Sequence, residues 1–423
     1  MQRVLIATVG SHGDVLPFVA LARKFASHGH ETIFYTNPFF RACVEGAGIR
    51  FVPVGTVEQY VSLFGDVADT DPVRSFQRVA AEYAARCPGY HRAMQADTVA
   101  GRTIAIGNSL LFAHRLLRDT DQVPCATVHL APSVFRSNIK PPRLIPASHW
   151  LGPRPPRLLT QAAWWLLDKA FYDPTFTQPL NHYRSLLGLP GVRRIFQSWI
   201  HQADCVIGLF PDWFGQPPAD WPANLALTGF SFYDDAEQRP LPPRLEQFLQ
   251  AGTQPVAFSA GTAAVTAHDF FDISVNAARQ AGVRAILLTH FASQVPVTLP
   301  ENVIHVDYAP FGALLPRLGA FVHHGGIGSI GQALRAGVPQ LIRPVGYDQF
   351  DNSVRAVELG VARELLVKQY TVPAVAQALT HMLSDHALHQ RCREIARRFE
   401  DQIDPMQAAY DAICTRLAPR SSG

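Results

Sequence analysis

One histidine, three glycines and a serine fall within the six residues HGGIGS, and an acid–amide pair, Asp348 and Gln349, follows about twenty residues on. They belong to the segment 321–352, FVHHGGIGSIGQALRAGVPQLIRPVGYDQFDN. After Ser329 the apolar Ile330, Ala333 and Leu334 recur at helical spacing until Gly337, Val338 and Pro339 stop the run, so the turn carrying Gly325, Gly326, Ile327 and Gly328 opens a helix. Free backbone N–H groups and the positive end of the helix dipole suit such a turn to phosphate, and the glycines let the backbone approach closely. His324 adds a ring donor and Ser329 a hydroxyl. Asp348 and Gln349 suit sugar hydroxyls, because a carboxylate repels anions and accepts hydroxyl hydrogens. A glycine-rich turn is also ordinary α/β structure; the flanking His and Asp-Gln pair tip the reading to a nucleotide-sugar site.

The elements that must position these residues alternate from the start. Residues 4–9 are a continuous apolar run, as in a strand buried on both faces of a parallel sheet. A helix with Phe18, Leu21, Ala22 and Phe25 on one face follows, with Pro17 expected in its first turn, then a strand at 31–35, a helix at 40–47 and a strand at 49–54. This order implies a right-handed, doubly wound sheet with its functional edge at the strands' C-terminal ends. Ser11, His12 and Asp14 lie on that edge. Asp14, at a helix N-terminus, could serve as a general base or cap the helix, and the residue alone leaves both open. The turn lacks the glycine fingerprint of a dinucleotide fold and the second strand ends in Thr36 and Asn37, which disfavours a nicotinamide or flavin enzyme. Strands at 104–107 and 126–130 lead to Asn108 and Ser133, two further candidates on the acceptor side.

With 423 residues the chain can hold two cores, and a net charge of +3 is too small to argue for nucleic acid. No apolar run approaches the ~20 residues of a membrane span, and Met1 leads straight into a strand, so a cytoplasmic protein is expected. The six cysteines show no metal-type spacing, so no metal and no permanently bound cofactor are expected. Residues 136–157 are proline-rich and basic without an acid, with Trp164 and Trp165 beyond. They read either as a lip for a lipid-like acceptor or a peripheral membrane contact, or as a solvated loop entering a packed helix, and the latter is favoured. The domains expected are 1–215 for the acceptor, a linker at 216–243, 244–400 for the donor, and 401–423 as a terminal helix docking back on the first domain with a loose tail. The second series opens with a strand at 256–258 and a turn holding Gly261 and Thr262. Tyr308 and Ala309 follow a strand at 303–306 and could form a wall for the nucleotide base.

The stretches GSHGDVLPFVALA, HHGGIGSIGQALRAGVP and YDQFDN resemble the inverting nucleotide-sugar glycosyltransferases of family 1. RIFQSWI, LFPDWF and APFGALLP are similar to the bacterial rhamnosyltransferases of the rhamnolipid kind. The resemblance implies an α/β, GT-B architecture: two Rossmann-like, doubly wound parallel-sheet domains facing a cleft. It implies Asp14 as the base, His324 on the pyrophosphate, Gly326, Ile327, Gly328 and Ser329 as phosphate contacts, Gly261 and Thr262 as a second phosphate turn, and Asp348 and Gln349 on the sugar. Ile327 and Gly328 depart from the Trp and Asn of plant members, and Asn108 stands near the Asp that orients the base in many of them. The implied reaction takes a hexose or deoxyhexose from a UDP- or dTDP-sugar co-substrate to a hydroxyl of a small hydrophobic acceptor, a lipid, phenolic or polyketide, without a metal. A non-catalytic activator subunit could lose these groups, yet all are present. Donor, acceptor and oligomeric state stay open.

Overall fold

The computed structural model describes residues 1–65, 72–146, 156–232, 240–261 and 267–417. They divide into two compact units, one of Met1–Pro142, Ala147–Tyr233 and Ile403–Gly423, the other of Arg143–Pro146 and Asp234–Gln402.

The first unit is built on an all-parallel sheet of seven strands: β1 Arg3–Ala7, β2 Glu31–Thr36, β3 Arg50–Pro53, β4 Thr103–Asn108, β5 Cys125–His129, β6 Cys205–Gly208 and β7 Leu225–Leu227. Their order is β3-β2-β1-β4-β5-β6-β7. The central strands are buried almost throughout and mostly apolar because helices cover both faces. Phe18, Leu21 and Phe25 of the helix His12–Ser27 pack on Val4, Ile6 and Phe34, together with Met406, Ala409, Ile413 and Leu417 of the last helix, Pro405–Leu417. Burying each such Phe or Leu is worth about 1.5–3 kcal/mol. A second cluster gathers Phe112, Leu116, Phe176, Phe196 and Trp199.

The second unit holds an all-parallel sheet of six strands: β8 Val256–Ser259, β9 Ala285–Leu288, β10 Val303–Val306, β11 Ala320–His323, β12 Gln340–Ile342 and β13 Ala362–Glu364, ordered β10-β9-β8-β11-β12-β13. Its core joins Leu245, Ala257, Ile286, Leu314, Phe321 and Ala333.

Several elements differ from expectation. Pro17 sits inside the helix His12–Ser27, past its first turn, because the helix already begins at His12. Its missing N–H leaves the Gly13 carbonyl without a helical partner. Two helices, Val57–Gly65 and Pro72–Ala96, occupy a stretch for which the sequence suggested nothing, the second with Pro88 inside it. Leu225–Leu227, within the expected linker, is the last strand of the first sheet. Both sheets share one feature that matters for function. In the first, the chain works outward from β1 on one side and then resumes with β4 on the other; in the second, the same reversal falls between β8 and β11. Such a reversal leaves a crevice at the strands' C-terminal ends, where α/β sheets bind ligands.

Candidate functional site

At the reversal of the first sheet, β1 runs into a tight turn before the helix His12–Ser27. Oδ2 of Asp14 accepts the Ser11 backbone N–H at 2.8 Å and the Ser11 hydroxyl at 3.0 Å. Gly10 has φ +131°, and a Cβ built there would lie 2.3 Å from the same oxygen, so only glycine lets the carboxylate fold back over the turn. Burial raises the Asp14 carboxyl above its ordinary range, while the two Ser11 bonds pull it down. Oδ2 is thus given to the turn.

Asn108, at the end of β4, donates to Thr8 Oγ1 at 3.1 Å and to the Val9 carbonyl at 2.8 Å, while its Oδ1 accepts from Leu110 and Leu111 N–H. Expected on the acceptor side, this amide instead stitches β4 to the turn that carries Asp14. His12 is exposed and packs edge-on against Phe39 and Phe40, with ring centroids 5.5 and 5.1 Å apart. Tyr60 stacks on Phe39 at 4.4 Å, and burial, with a smaller push from the Asp14 charge, raises its phenol. Sequence patterns gave no sign of Tyr60, because the helix Val57–Gly65 that carries it went unseen. Ser133 sits in a short 3-10 turn, Pro132–Val134, after β5.

At the reversal of the second sheet, Ser259 and His323 stand side by side in register at the ends of β8 and β11. His323 is fully buried; its Nδ1 accepts the Gly325 N–H at 3.1 Å and its Nε2 meets Gln340 Oε1 at 3.1 Å. Burial drops its pKa to about 3, so the ring stays neutral and fixes the glycine turn. His324 follows, its pKa lowered to about 4 by burial, and its Nδ1 has no partner among the described residues. Gly261, φ +95°, lies against this ring: a Cβ there would come within 2.6 Å of Cε1. The turn after β8 and the turn after β11 are thereby brought together. Thr262 lies outside the described residues.

The helix Ile327–Ala336 starts at Gly326, and its first intrahelical bond runs from Ile330 N–H to the Gly326 carbonyl, leaving the N–H groups of Ile327, Gly328 and Ser329 at its open end. Asn352, fully buried, ties this turn to the acid–amide loop: its Nδ2 donates to the Gly325 carbonyl at 3.0 Å and to Asp348 Oδ2 at 2.6 Å. Sequence reading quoted Asn352 without giving it a role; its i+4 spacing from Asp348 was the signal. Gln349 Oε1 accepts the N–H groups of Val345 and Gly346 at 2.9 and 3.2 Å. Tyr347 precedes them with φ +58°, a strained setting for a non-glycine residue. Tyr308 stacks in parallel on His290 with centroids 6.0 Å apart, and Ala309 is buried in the core.

The second unit thus joins two glycine turns and an acid–amide loop at one sheet edge, and the first unit sets the Asp14 carboxylate at the edge of its own sheet. Residues 4–87 match the family described as glycosyltransferase family 28 N-terminal domain, and residues 284–413 that described as erythromycin biosynthesis protein CIII-like, C-terminal domain. The chain is a glycosyltransferase of GT-B fold. This glycosyltransferase is 28% identical to O-mycaminosyltylonolide 6-deoxyallosyltransferase of Streptomyces fradiae, across 93% of each chain. Its fold is similar to the solved glycotransferase of kitacinnamycin (TM-score 0.76, 20% identity, 98% of this chain and 99% of that one). It is also similar to the spinosyn rhamnosyltransferase SpnG complexed with thymidine diphosphate (TM-score 0.68, 17% identity, 97% and 99%). At those identities the structures speak for the fold alone. Among the described residues no helix is long and apolar enough to cross a membrane, and no group of three or more His, Cys, Asp or Glu could hold a metal ion.

Proposed function

We propose that the enzyme moves a hexose or deoxyhexose from a UDP- or dTDP-sugar to a hydroxyl of a small hydrophobic acceptor, inverting the anomeric centre in one displacement. The acceptor oxygen forms its bond to the anomeric carbon as the bond from that carbon to the diphosphate oxygen breaks, and the hydroxyl proton passes to the Asp14 carboxylate. The nucleoside diphosphate leaves with its negative charge against the Ile327, Gly328 and Ser329 N–H groups, the Ser329 hydroxyl and the His324 ring. Gly261 keeps the second turn close, Thr262 adds a hydroxyl, and Asp348 with the Gln349 amide orients the sugar. Tyr308 borders the base. The 6-deoxyallosyltransferase relative favours a deoxyhexose donor.

The observation that supports this reading is that each sheet sets a titratable group against a glycine turn at its reversal point, Asp14 against Gly10 in the first and His324 against Gly261 in the second. Asp14 has its proton affinity raised toward that of a working base, and His324 stays neutral with a ring nitrogen unpartnered. The test is transfer from a panel of UDP- and dTDP-sugars to lipid, phenolic and polyketide alcohols, with the anomeric configuration of the product read by NMR. Transfer with inversion from at least one donor is expected. A product that retains configuration would contradict the single displacement, and no turnover of any donor in the panel would contradict the donor class.

A further inference from the structure

The helix Arg157–Leu167 has two apolar faces, and only one is used. On the inner side Trp164 and Thr160 are buried; the Trp164 indole N–H donates to the Ser137 carbonyl at 3.3 Å, and the Arg136 guanidinium lies 5.2 Å over its ring while pairing with Asp168 at 2.5 Å. Those contacts fix which side faces out. On the outer side stand Leu158, Leu159, Trp165 and Leu166, 79%, 53%, 63% and 61% exposed, with exposed Ala162 between them. The spacing 158, 159, 162, 165, 166 is one helical stripe.

A water-facing stripe of three leucines and a tryptophan is a costly surface for a soluble protein to maintain and marks an interaction site. Its surroundings say which kind. The sequence from Gln122 to Leu167 contains no Asp or Glu but five Arg and Lys, of which Arg136 and Arg143 are buried in ion pairs with Asp168 and Glu364. Exposed Arg157 opens the helix, Lys169 follows its end with a side chain 60% exposed, and Lys140 lies three residues beyond the Ser137 that Trp164 holds. The carboxylates just past the helix are engaged, Asp168 by Arg136 and Asp173 by Lys169. We infer that this helix is an interfacial anchor that lays Leu158, Leu159, Trp165 and Leu166 into the headgroup–acyl boundary of a bilayer bearing anionic lipid, with Arg157 and Lys169 at the headgroups. Trp at the boundary and basic residues beside it are what such a surface selects. The inference does not depend on the donor or acceptor proposed above.

The full-length protein is spun with phosphatidylcholine vesicles, with and without phosphatidylglycerol, alongside a Leu158→Glu, Leu166→Glu double variant. Both positions face water, so the variant keeps the fold, checked by circular dichroism, and its turnover of a soluble acceptor. Wild type should co-sediment with the anionic vesicles and release as salt rises, and the variant should lose about tenfold or more in partitioning. The blue shift of tryptophan emission on binding should vanish in Trp165→Phe. Equal partitioning of wild type and variant, or none by wild type, overturns the proposal. So does a wild-type dimer that the variant converts to monomer, which would give the face to a second copy, or a raised KM for soluble acceptor in the variant, which would give it to the acceptor.

Discussion

Burial holds the Asp14 carboxyl above its ordinary range, and the Ser11 bonds only partly offset this. A base acts ionised, so activity is lost as pH falls through its folded-state pKa. The acid limb of kcat/KM should therefore lie above the ~3.9 of a free Asp, and it should disappear from the pH profile of Asp14→Asn. The stability sign runs the other way. A carboxyl whose folded pKa is raised stabilises the fold below its unfolded pKa, and that contribution is lost as pH rises through the folded value. At neutral pH the ionised group gives no such help, so Asp14→Asn, which still accepts from Ser11, should leave Tm unchanged or raise it. A clear fall in Tm would mark Asp14 as a structural cap. His324 reads differently: with its pKa near 4 it is neutral at working pH and acts as a hydrogen-bonding ring, not a cation. Replacing it by Ala should weaken nucleoside diphosphate binding by roughly tenfold or more, as befits a lost bond to a charged oxygen. Calorimetry should find the gap between wild type and variant flat above about pH 5, where no His324 charge is left to titrate.

At the scale of elements, two glycine turns hold the two groups. Gly10→Ala puts a methyl where the Asp14 carboxylate lies and asks a non-glycine residue to take φ +131°, so it should cost at least about 1–3 kcal/mol of stability and lower kcat as well. Gly261→Ala should push the His324 ring aside, raising donor KM with little change in acceptor KM. Steady-state kinetics with denaturant melts would separate the two effects. The core strands and the glycine turn were legible because their signals are local: apolar runs, a helix stop at Gly337, a fixed spacing. The helices Val57–Gly65 and Pro72–Ala96 were not, since Pro88 reads as a breaker and little apolar periodicity advertises the longer one. Three residues of β7 inside a proline-rich stretch gave no period to see. The roles of Asn108 and Asn352 were not legible for another reason: they cross-link positions 99 and 27 residues apart, which only the folded chain brings together.

Over the whole molecule, the chain's last described helix completes the first unit. Met406, Ala409, Ile413 and Leu417 are buried in the core under the helix His12–Ser27, and Lys24 pairs with Asp404 at 2.6 Å. Ending the chain at residue 400 should expose that apolar seam, so the truncated protein should aggregate or bind a hydrophobic dye. A monodisperse, cooperatively folded truncation would contradict the packing. The account as a whole rests on a division of labour, with the base on one unit and the diphosphate grip on the other. The single-turnover rate of Asp14→Asn, measured beside its nucleoside diphosphate Kd, tests that division. The account predicts a rate at least about 100-fold below wild type with Kd within a factor of two or so. A wild-type rate, or a Kd that worsens in step with the rate, would contradict it.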